Sequence, residues 1–185
     1  MKHCSITIAI LLVWLGITAQ AYTIDEISRA DRILHLIDQR LRISVLVARA
    51  KWNENLPIEA AGRESVVVAN FEELARDKGI PSELARSFIE AQIVASKLVQ
   101  TELFAAWRAD RRVAFAVSPD LKGEIRPQLD LLTKSLIEAL QAYHEVEGRD
   151  FQLLLWRAEL LWGEQPGPAR RAALRFTSPQ PKSAH

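Results

Sequence analysis

Residues 23–52 read TIDEISRADRILHLIDQRLRISVLVARAKW and decide the fold. Thr23 and Glu26 stand three residues apart, which is the spacing of a capping box at the start of a helix. Beyond them, apolar side chains recur every three or four residues, which is the period of one helix face and not the alternation of a strand. These positions are Ile27, Ile33, Leu34, Ile37, Leu41 and Val45. The stretch therefore predicts a helix that continues to Trp52 and buries one face.

The rest of the chain repeats this pattern between short breaks. Pro57 cannot continue the first helix, and Gly79 suits a left-handed helix end. Ser118-Pro119 is a cap followed by proline at a first helical position. Further helices are expected at about 59–77, 81–109, 118–144 and 150–162. Without strand-like alternation or an internal repeat, the sequence predicts one all-α domain over residues 22–162, a helical bundle of about five or six helices.

The first 21 residues are expected to be a signal peptide. Lys2 and His3 precede a run of about a dozen apolar residues, and Ala19-Gln20-Ala21 has the small-x-small pattern of a cleavage site. The run is shorter than the roughly 20 residues that span a bilayer, so a retained anchor is the less favoured alternative. Cleavage after Ala21 predicts a periplasmic or secreted protein that is not held in a membrane.

The chain after Trp162 is expected to behave differently from the bundle. Residues 163–185 contain several prolines, glycines and small or basic residues, so we expect a largely disordered tail with a turn near 170–175. The single cysteine, Cys4, lies in the expected signal peptide. The mature chain could therefore form no disulfide within itself, and its stability must come from packing.

Charge and motif content exclude several classes of function. The chain carries 24 Lys and Arg against 23 Asp and Glu, a near-neutral balance that does not favour general nucleic-acid binding. There is no glycine-rich phosphate loop, no nucleophile-elbow sequence and no spaced His/Cys cluster for a metal. His35 and His144 are interpreted as surface or boundary residues. An anionic ligand would need a local cluster of cations, and no metal or cofactor is predicted.

Several polar residues share helix faces. Arg40 and Lys51 are 11 residues apart, which places them within about 20° on one face. Ser96 and Gln100 form an i, i+4 pair. Arg63 lies early in the predicted helix 59–77, and Arg126 lies early in the predicted helix 118–144. Taken singly, each of these is more often a solvated side chain. Two further arginines, Arg42 and Arg49, are interpreted in that way as surface charge.

The local sequences around these residues carry a resemblance. The first segment contains Arg40, Val47-Ala48, Lys51-Trp52, Leu56-Pro57-Ile58-Glu59 and Arg63-Glu64. The second contains Phe88, Gln92-Ile93, Ala95-Ser96-Lys97, Gln100, Leu103-Phe104 and Trp107, and residues 125–130 read IRPQLD. In order and at these separations, over about residues 37–140, they closely resemble the exported (gamma) subclass of the helical AroQ-type chorismate mutases.

This resemblance implies a function and a site. The family rearranges chorismate to prephenate without cofactor or metal, which makes it an isomerase. Arg40, Arg63 and Arg126 match arginines that bind the two substrate carboxylates. Lys51 matches the lysine that contacts the breaking ether oxygen, Gln100 matches the side chain on the opposite side of that oxygen, and Ser96 lines the pocket. The resemblance also implies a homodimer with each site built within one chain.

One position departs from the family pattern. The aspartate that usually follows the Ile58-Glu59 pair is Ala60 here, so one polar contact is missing, for which Glu59 or Glu64 could substitute. Two alternatives therefore stay open. The first is a catalytically impaired periplasmic protein that binds a dicarboxylate on the same scaffold. The second is a purely structural helical protein, which would leave the matched cations without a role.

Overall fold

The structure is a computed structural model that describes residues 22–145 and 151–177. The expected signal peptide and its cleavage site lie outside the described residues, as does the end of the tail. Among the described residues, no helix is long and apolar enough to cross a bilayer.

The described chain is all-helical, as predicted. The six α-helices are α1 (Ile24–Asn53), α2 (Ala61–Asp77), α3 (Ser82–Ala109), α4 (Arg126–His144), α5 (Phe151–Trp162) and α6 (Pro168–Ala173). A single π-helical turn (Leu121–Ile125) precedes α4, and a 3-10 turn (Arg175–Thr177) follows α6. No strand occurs in residues 22–145 or 151–177. The all-α prediction is therefore confirmed.

Helix α1 is the central element of the bundle. The capping box at its start is present: the Glu26 amide donates to Thr23 Oγ1 at 3.2 Å, and the Thr23 amide donates to Glu26 Oε2 at 2.7 Å. Its apolar face packs against α3, α4 and α5. Ile33, Leu34 and Ile37 on that face are fully buried. Because α1 is 30 residues long, its first half lies in the apolar core and its second half extends beyond it, where it places Arg40 and Lys51.

The start of α4 differs from the prediction. Ser118-Pro119 does not open the helix; Asp120 caps the π-helical turn instead, accepting from the Lys122 amide at 2.8 Å. Gly123 lies beneath this cap, where a Cβ would come within 2.6 Å of Asp120 Oδ2 and would require the Asp120 side chain to shift. The wider turn ends at Ile125, so that Arg126 becomes the first residue of α4.

The first part of the tail is more ordered than its composition suggested. Helix α6 covers the expected turn region and packs on α3, where buried Gln92 donates from Nε2 to the Ala173 carbonyl at 2.9 Å. Phe176 is 4% exposed and meets the Phe88 and Phe151 rings edge-on, at centroid distances of 4.8 and 5.8 Å. A few alanines and one phenylalanine are enough to attach a segment otherwise rich in proline and basic residues.

Truncation of this anchor should therefore cost stability. Phe176→Ala is expected to lower the free energy of unfolding by about 3 kcal/mol, because it removes a buried ring and leaves a cavity. Urea denaturation followed by circular dichroism would measure this change. Leu160→Ala, at a position 58% exposed, is the control and should change little. Equal stability of the two variants would contradict the packing of the tail.

Candidate active site

A cavity of about 430 Å³ lies among α1, α2, α3 and α4. All six residues singled out from the sequence line it: Arg40, Lys51, Arg63, Ser96, Gln100 and Arg126. The wall also includes the loop between α1 and α2, through Leu56, Pro57, Glu59 and Ala60. Residues from four separate helices thus converge on one pocket.

Arg40 lies at the buried end of this cavity. Its side chain is 6% exposed, no ion pair is recorded for it in the described chain, and Nε has no hydrogen-bond partner there. Burial lowers the pKa of Arg40 to about 10, because the charged form loses its hydration and gains no counter-charge. A guanidinium held in this way is prepared to receive an anion with two parallel hydrogen bonds.

Lys51 lies in the last turn of α1, behind the loop that leads to α2. Its Nζ donates to the Ile58 carbonyl at 2.6 Å. Burial lowers the pKa of the Lys51 ammonium, while the carboxylates of Glu64 and Glu59 oppose that shift. The helix end is fixed by packing of the next residue, Trp52, whose ring meets Phe104 edge-on at a centroid distance of 5.1 Å.

A chain of hydroxyl groups crosses from α1 to α3. Ser44 Oγ donates to the Arg40 carbonyl at 3.0 Å and lies 2.7 Å from Ser96 Oγ. Gln100 Nε2 in turn donates to the Ser96 carbonyl at 3.1 Å and approaches Ser96 Oγ at 3.3 Å. Gln100 is 3% exposed, and its Oε1 has no partner in the described chain. The two serines thus fix the spacing between Arg40 and Gln100.

Arg63 and Arg126 are the more open cations. Arg63 is 40% exposed, and its Nη2 lies 3.9 Å from Oδ1 of Asp130. That separation is too long for a hydrogen bond, so both groups can be rearranged by a ligand. Arg126 is half-buried at the first position of α4. Together with Arg40, they place positive charge both at the floor and at the opening of the cavity.

Ala60 is the N-cap residue of α2 and makes no side-chain capping hydrogen bond. Aspartate, the usual family residue, would be a favoured cap at this position. The Glu64 side chain contacts the same residue from α2, because its Oε1 accepts from the Ala60 amide at 3.1 Å, but the side-chain acceptor for the first amides of α2 is still missing. Of the two substitutes suggested by the sequence, it is therefore Glu64 that contacts the altered position.

The ion-pair cluster in the cavity wall was not predicted from the sequence. Lys97 Nζ lies 2.7 Å from Glu59 Oε2 and 3.1 Å from Glu64 Oε2. Lys97 and Glu59 are 38 positions apart, so neither helical period nor motif spacing indicates their contact. From the sequence, Glu59 and Glu64 were expected only as substitutes for the aspartate absent at position 60, and Lys97 was given no role.

The two arginines interpreted as surface charge behave differently from each other. Arg42 is exposed and pairs with Asp38 one turn earlier, at 2.8 Å, as expected of a solvated face. Arg49 is half-buried, with its guanidinium carbon 5.2 Å from the centre of the Phe115 ring. The interpretation was therefore wrong for Arg49, whose face is covered by the segment before α4.

The site chemistry is that of a dicarboxylate pocket. Five cationic side chains line it, and one of them, Lys97, engages two of its three carboxylates. Within the described ranges, no group of three or more His, Cys, Asp or Glu side chains is placed to hold a metal ion. What the cavity offers a ligand is positive charge, hydrogen-bond donors and an apolar lining that includes Val47, Ile93 and Leu121.

Comparison with known proteins gives a consistent answer. A sequence profile described as chorismate mutase type II matches residues 23–101. The secreted chorismate mutase of Mycobacterium tuberculosis is 28% identical over 123 residues, which are 63% of this chain and 61% of that protein. The secreted chorismate mutase of Mycolicibacterium smegmatis is 26% identical over 125 residues, 68% of each chain. The match thus spans about three fifths of the first relative.

Solved structures extend the similarity to the fold. The crystal structure of a chorismate mutase from Burkholderia thailandensis matches with a TM-score of 0.69 and 32% identity, over 81% of this chain and 96% of that one. A second, from Burkholderia phymatum, gives a TM-score of 0.66 and 26% identity, over 81% and 95% of the two chains. Nearly the whole of each solved chain is therefore covered.

The buried charge of Arg40 should destabilise the ligand-free protein. Because its pKa is lower in the folded chain than in the unfolded chain, the folded state is penalised at every pH below about 10, and the penalty shrinks above that value. Arg40→Met is expected to raise the free energy of unfolding by about 1–3 kcal/mol at pH 7. Denaturant titration would measure it, with the exposed Arg76→Met as control. A less stable Arg40→Met protein would contradict the unpaired state of Arg40.

Proposed function

The chain belongs to the chorismate mutase family, and on that premise we propose that it converts chorismate to prephenate in the cavity described above. The observation that carries the proposal is the convergence of Arg40, Lys51, Arg63 and Arg126 with Gln100 in one pocket of a single chain. Both the secreted relatives and the expected signal peptide support export to the periplasm or the medium.

The reaction explains why a pocket without a general base suffices. In chorismate, the C–O bond of the enolpyruvyl ether breaks while a C–C bond forms within the same molecule, and no proton is transferred. The protein must hold the enolpyruvyl arm over the ring, which is a contribution of proximity and orientation. It must also stabilise negative charge that develops on the ether oxygen in the transition state.

The arginines supply the orientation. Arg40 at the cavity floor receives one carboxylate, and Arg63 and Arg126 near the opening receive the other. A carboxylate on Arg40 provides the counter-charge that the ligand-free site lacks, so part of the cost of burying this arginine is recovered on binding. Two carboxylates fixed at opposite ends restrict the flexible arm to compact conformers.

Lys51 and Gln100 supply the electrostatic part. Lys51 reaches the ether oxygen from the α1 side, and Gln100 reaches it from α3. In the ligand-free site, Gln100 Nε2 is directed at Ser96. Donation to the substrate therefore requires the terminal amide to turn, which is a low-energy movement about a broad torsion. Each donor aimed at the developing charge contributes about 3–4 kcal/mol in a dry site.

A homodimer is part of the same proposal. The family resemblance implies it, together with a site built within one chain, and all six residues that match the family's site residues line one pocket of this chain.

Incubation of the mature protein with chorismate tests the proposal directly. Loss of chorismate absorbance with formation of prephenate is expected at micromolar enzyme, for the wild type and for Ala60→Asp. Ala60→Asp should also raise the free energy of unfolding by about 1 kcal/mol, because it gains a helix cap. Binding of a bicyclic dicarboxylate without turnover would favour the dicarboxylate-binding alternative. The absence of both binding and turnover would favour a purely structural protein.

Single substitutions on α2 test the assignment of the cations. Arg63→Ala is expected to lower kcat/KM, with a loss of transition-state stabilisation of about 2–3 kcal/mol, because a bound carboxylate loses its charged partner. Arg76→Ala, exposed in the last turn of the same helix, is the matched control and should stay close to the wild type. Steady-state kinetics on both variants would show the difference. Near-parental kcat/KM in Arg63→Ala would refute the site assignment even in an active enzyme.

A further inference from the structure

The loop between α1 and α2 is held from two sides by a charged cluster. Lys97 on α3 contacts Glu59 in the loop at 2.7 Å and Glu64 on α2 at 3.1 Å. The other oxygen of Glu64 accepts from the Ala60 amide at 3.1 Å. One ammonium and two carboxylates therefore attach two consecutive loop residues, Glu59 and Ala60, to two different helices.

The residue before this pair is the one that holds Lys51. The Ile58 carbonyl accepts from Lys51 Nζ at 2.6 Å, and Glu59 directly follows it in the chain. Any movement of Glu59 or Ala60 would displace that carbonyl and, with it, the ammonium. Since Lys51 also lines the cavity, the cluster lies one peptide unit away from the group that must meet the substrate.

We propose that Lys97, Glu59 and Glu64 form a clamp that positions Lys51 for the rearrangement. All three line the cavity as well, and the action proposed for them is on the loop and, through it, on Lys51. The inference rests on the proposed function and adds to it the cluster around Lys97, in which Glu64 also accepts from the Ala60 amide.

The burial pattern suits such a clamp. The Lys97 and Glu64 side chains are 25% and 26% exposed, whereas Glu59 is 74% exposed. An ion pair between two half-hidden partners is less screened than a surface pair and holds its geometry better. Hydrogen bonds that Lys97 donates to Glu59, and then to Glu64, raise the pKa of Lys97 against the effect of burial. Lys97 therefore stays charged throughout the neutral range.

The clamp also sets the charge state of Lys51. The charged groups facing Lys51 are Glu64 from α2, Glu59 from the loop, Lys97 from α3 and Arg126 from α4. Burial favours the neutral amine, the two carboxylates favour the ammonium, and the two cations oppose them. Loss of one carboxylate should therefore lower the pKa of Lys51, whereas loss of Lys97 should raise it.

This opposition gives a test that a merely structural role would not satisfy. In Glu64→Gln, the basic limb of the pH profile of kcat/KM should move to lower pH, because the ammonium loses the counter-charge of Glu64. In Lys97→Met, the same limb should move to higher pH, because a like charge is removed. Both variants should lose about tenfold or more in kcat, since the ammonium is no longer held in place.

Controls separate positioning from stability. Lys97→Arg keeps the charge and should recover most of the activity, whereas Lys134→Met, an exposed lysine on α4, should behave as the wild type. Melting temperatures of all variants show whether the fold is kept. The clamp is overturned if folded Lys97→Met and Glu64→Gln keep kcat within twofold, or if their basic limbs stay at the wild-type position.

A measurement without turnover makes the inference independent of the activity. The pKa of Lys51 can be followed by NMR in protein labelled with 13C at lysine Cε, with Lys51→Arg to assign the signal. Relative to wild type, the pKa is expected to fall in Glu64→Gln and to rise in Lys97→Met. If the wild type forms no prephenate, the proposed function fails, while this titration still decides whether the clamp exists. An unchanged Lys51 pKa in both variants would refute it.

Discussion

The whole arrangement depends on a guanidinium buried without a counter-charge. Arg40 lies on the same helix whose apolar face forms the core, and its Nε has no partner in the described chain. A protein selected for stability alone would fill that position with an apolar side chain. The rest of the site serves to bring an anion to this charge and to hold it there. Arg63 and Arg126 add positive charge around Arg40, and the hydrogen bonds of Ser44 and Ser96 connect its helix to α3.

The fold provides this arrangement by dividing α1 into two functions. Its first half packs into the apolar core against α3, α4 and α5, and its second half passes along the cavity. Aromatic packing of Trp52 on Phe104 and Trp107 then fixes the helix end that carries Lys51. Rigid helices therefore position Arg40 and Gln100, while the short loop from Leu56 to Ala60 is the part that needs attachment by charge.

Sequence reasoning predicted what depends on local periodicity and missed what depends on contacts between distant residues. The helices, the Thr23 cap and the shared face of Arg40 and Lys51 follow from spacing alone, and family resemblance added Arg63, Gln100 and Arg126. The contact of Lys97 with Glu59 joins residues far apart in the chain, so no period reveals it. Asp120 caps the π-helical turn before α4 over Gly123, which helical period does not indicate. The proline-rich and basic composition of the tail does not indicate that Phe176 packs into the core.

Calorimetric titration with a bicyclic ether dicarboxylate shaped like the compact transition state tests the central claim most directly. The account predicts saturable binding at one site per chain, at least about a hundredfold tighter than the KM for chorismate. Binding should be strongly weakened in Arg40→Met although that variant is the more stable protein. No binding to the wild type, or equal binding to wild type and Arg40→Met, would contradict the view that a buried arginine awaiting a carboxylate organises this site.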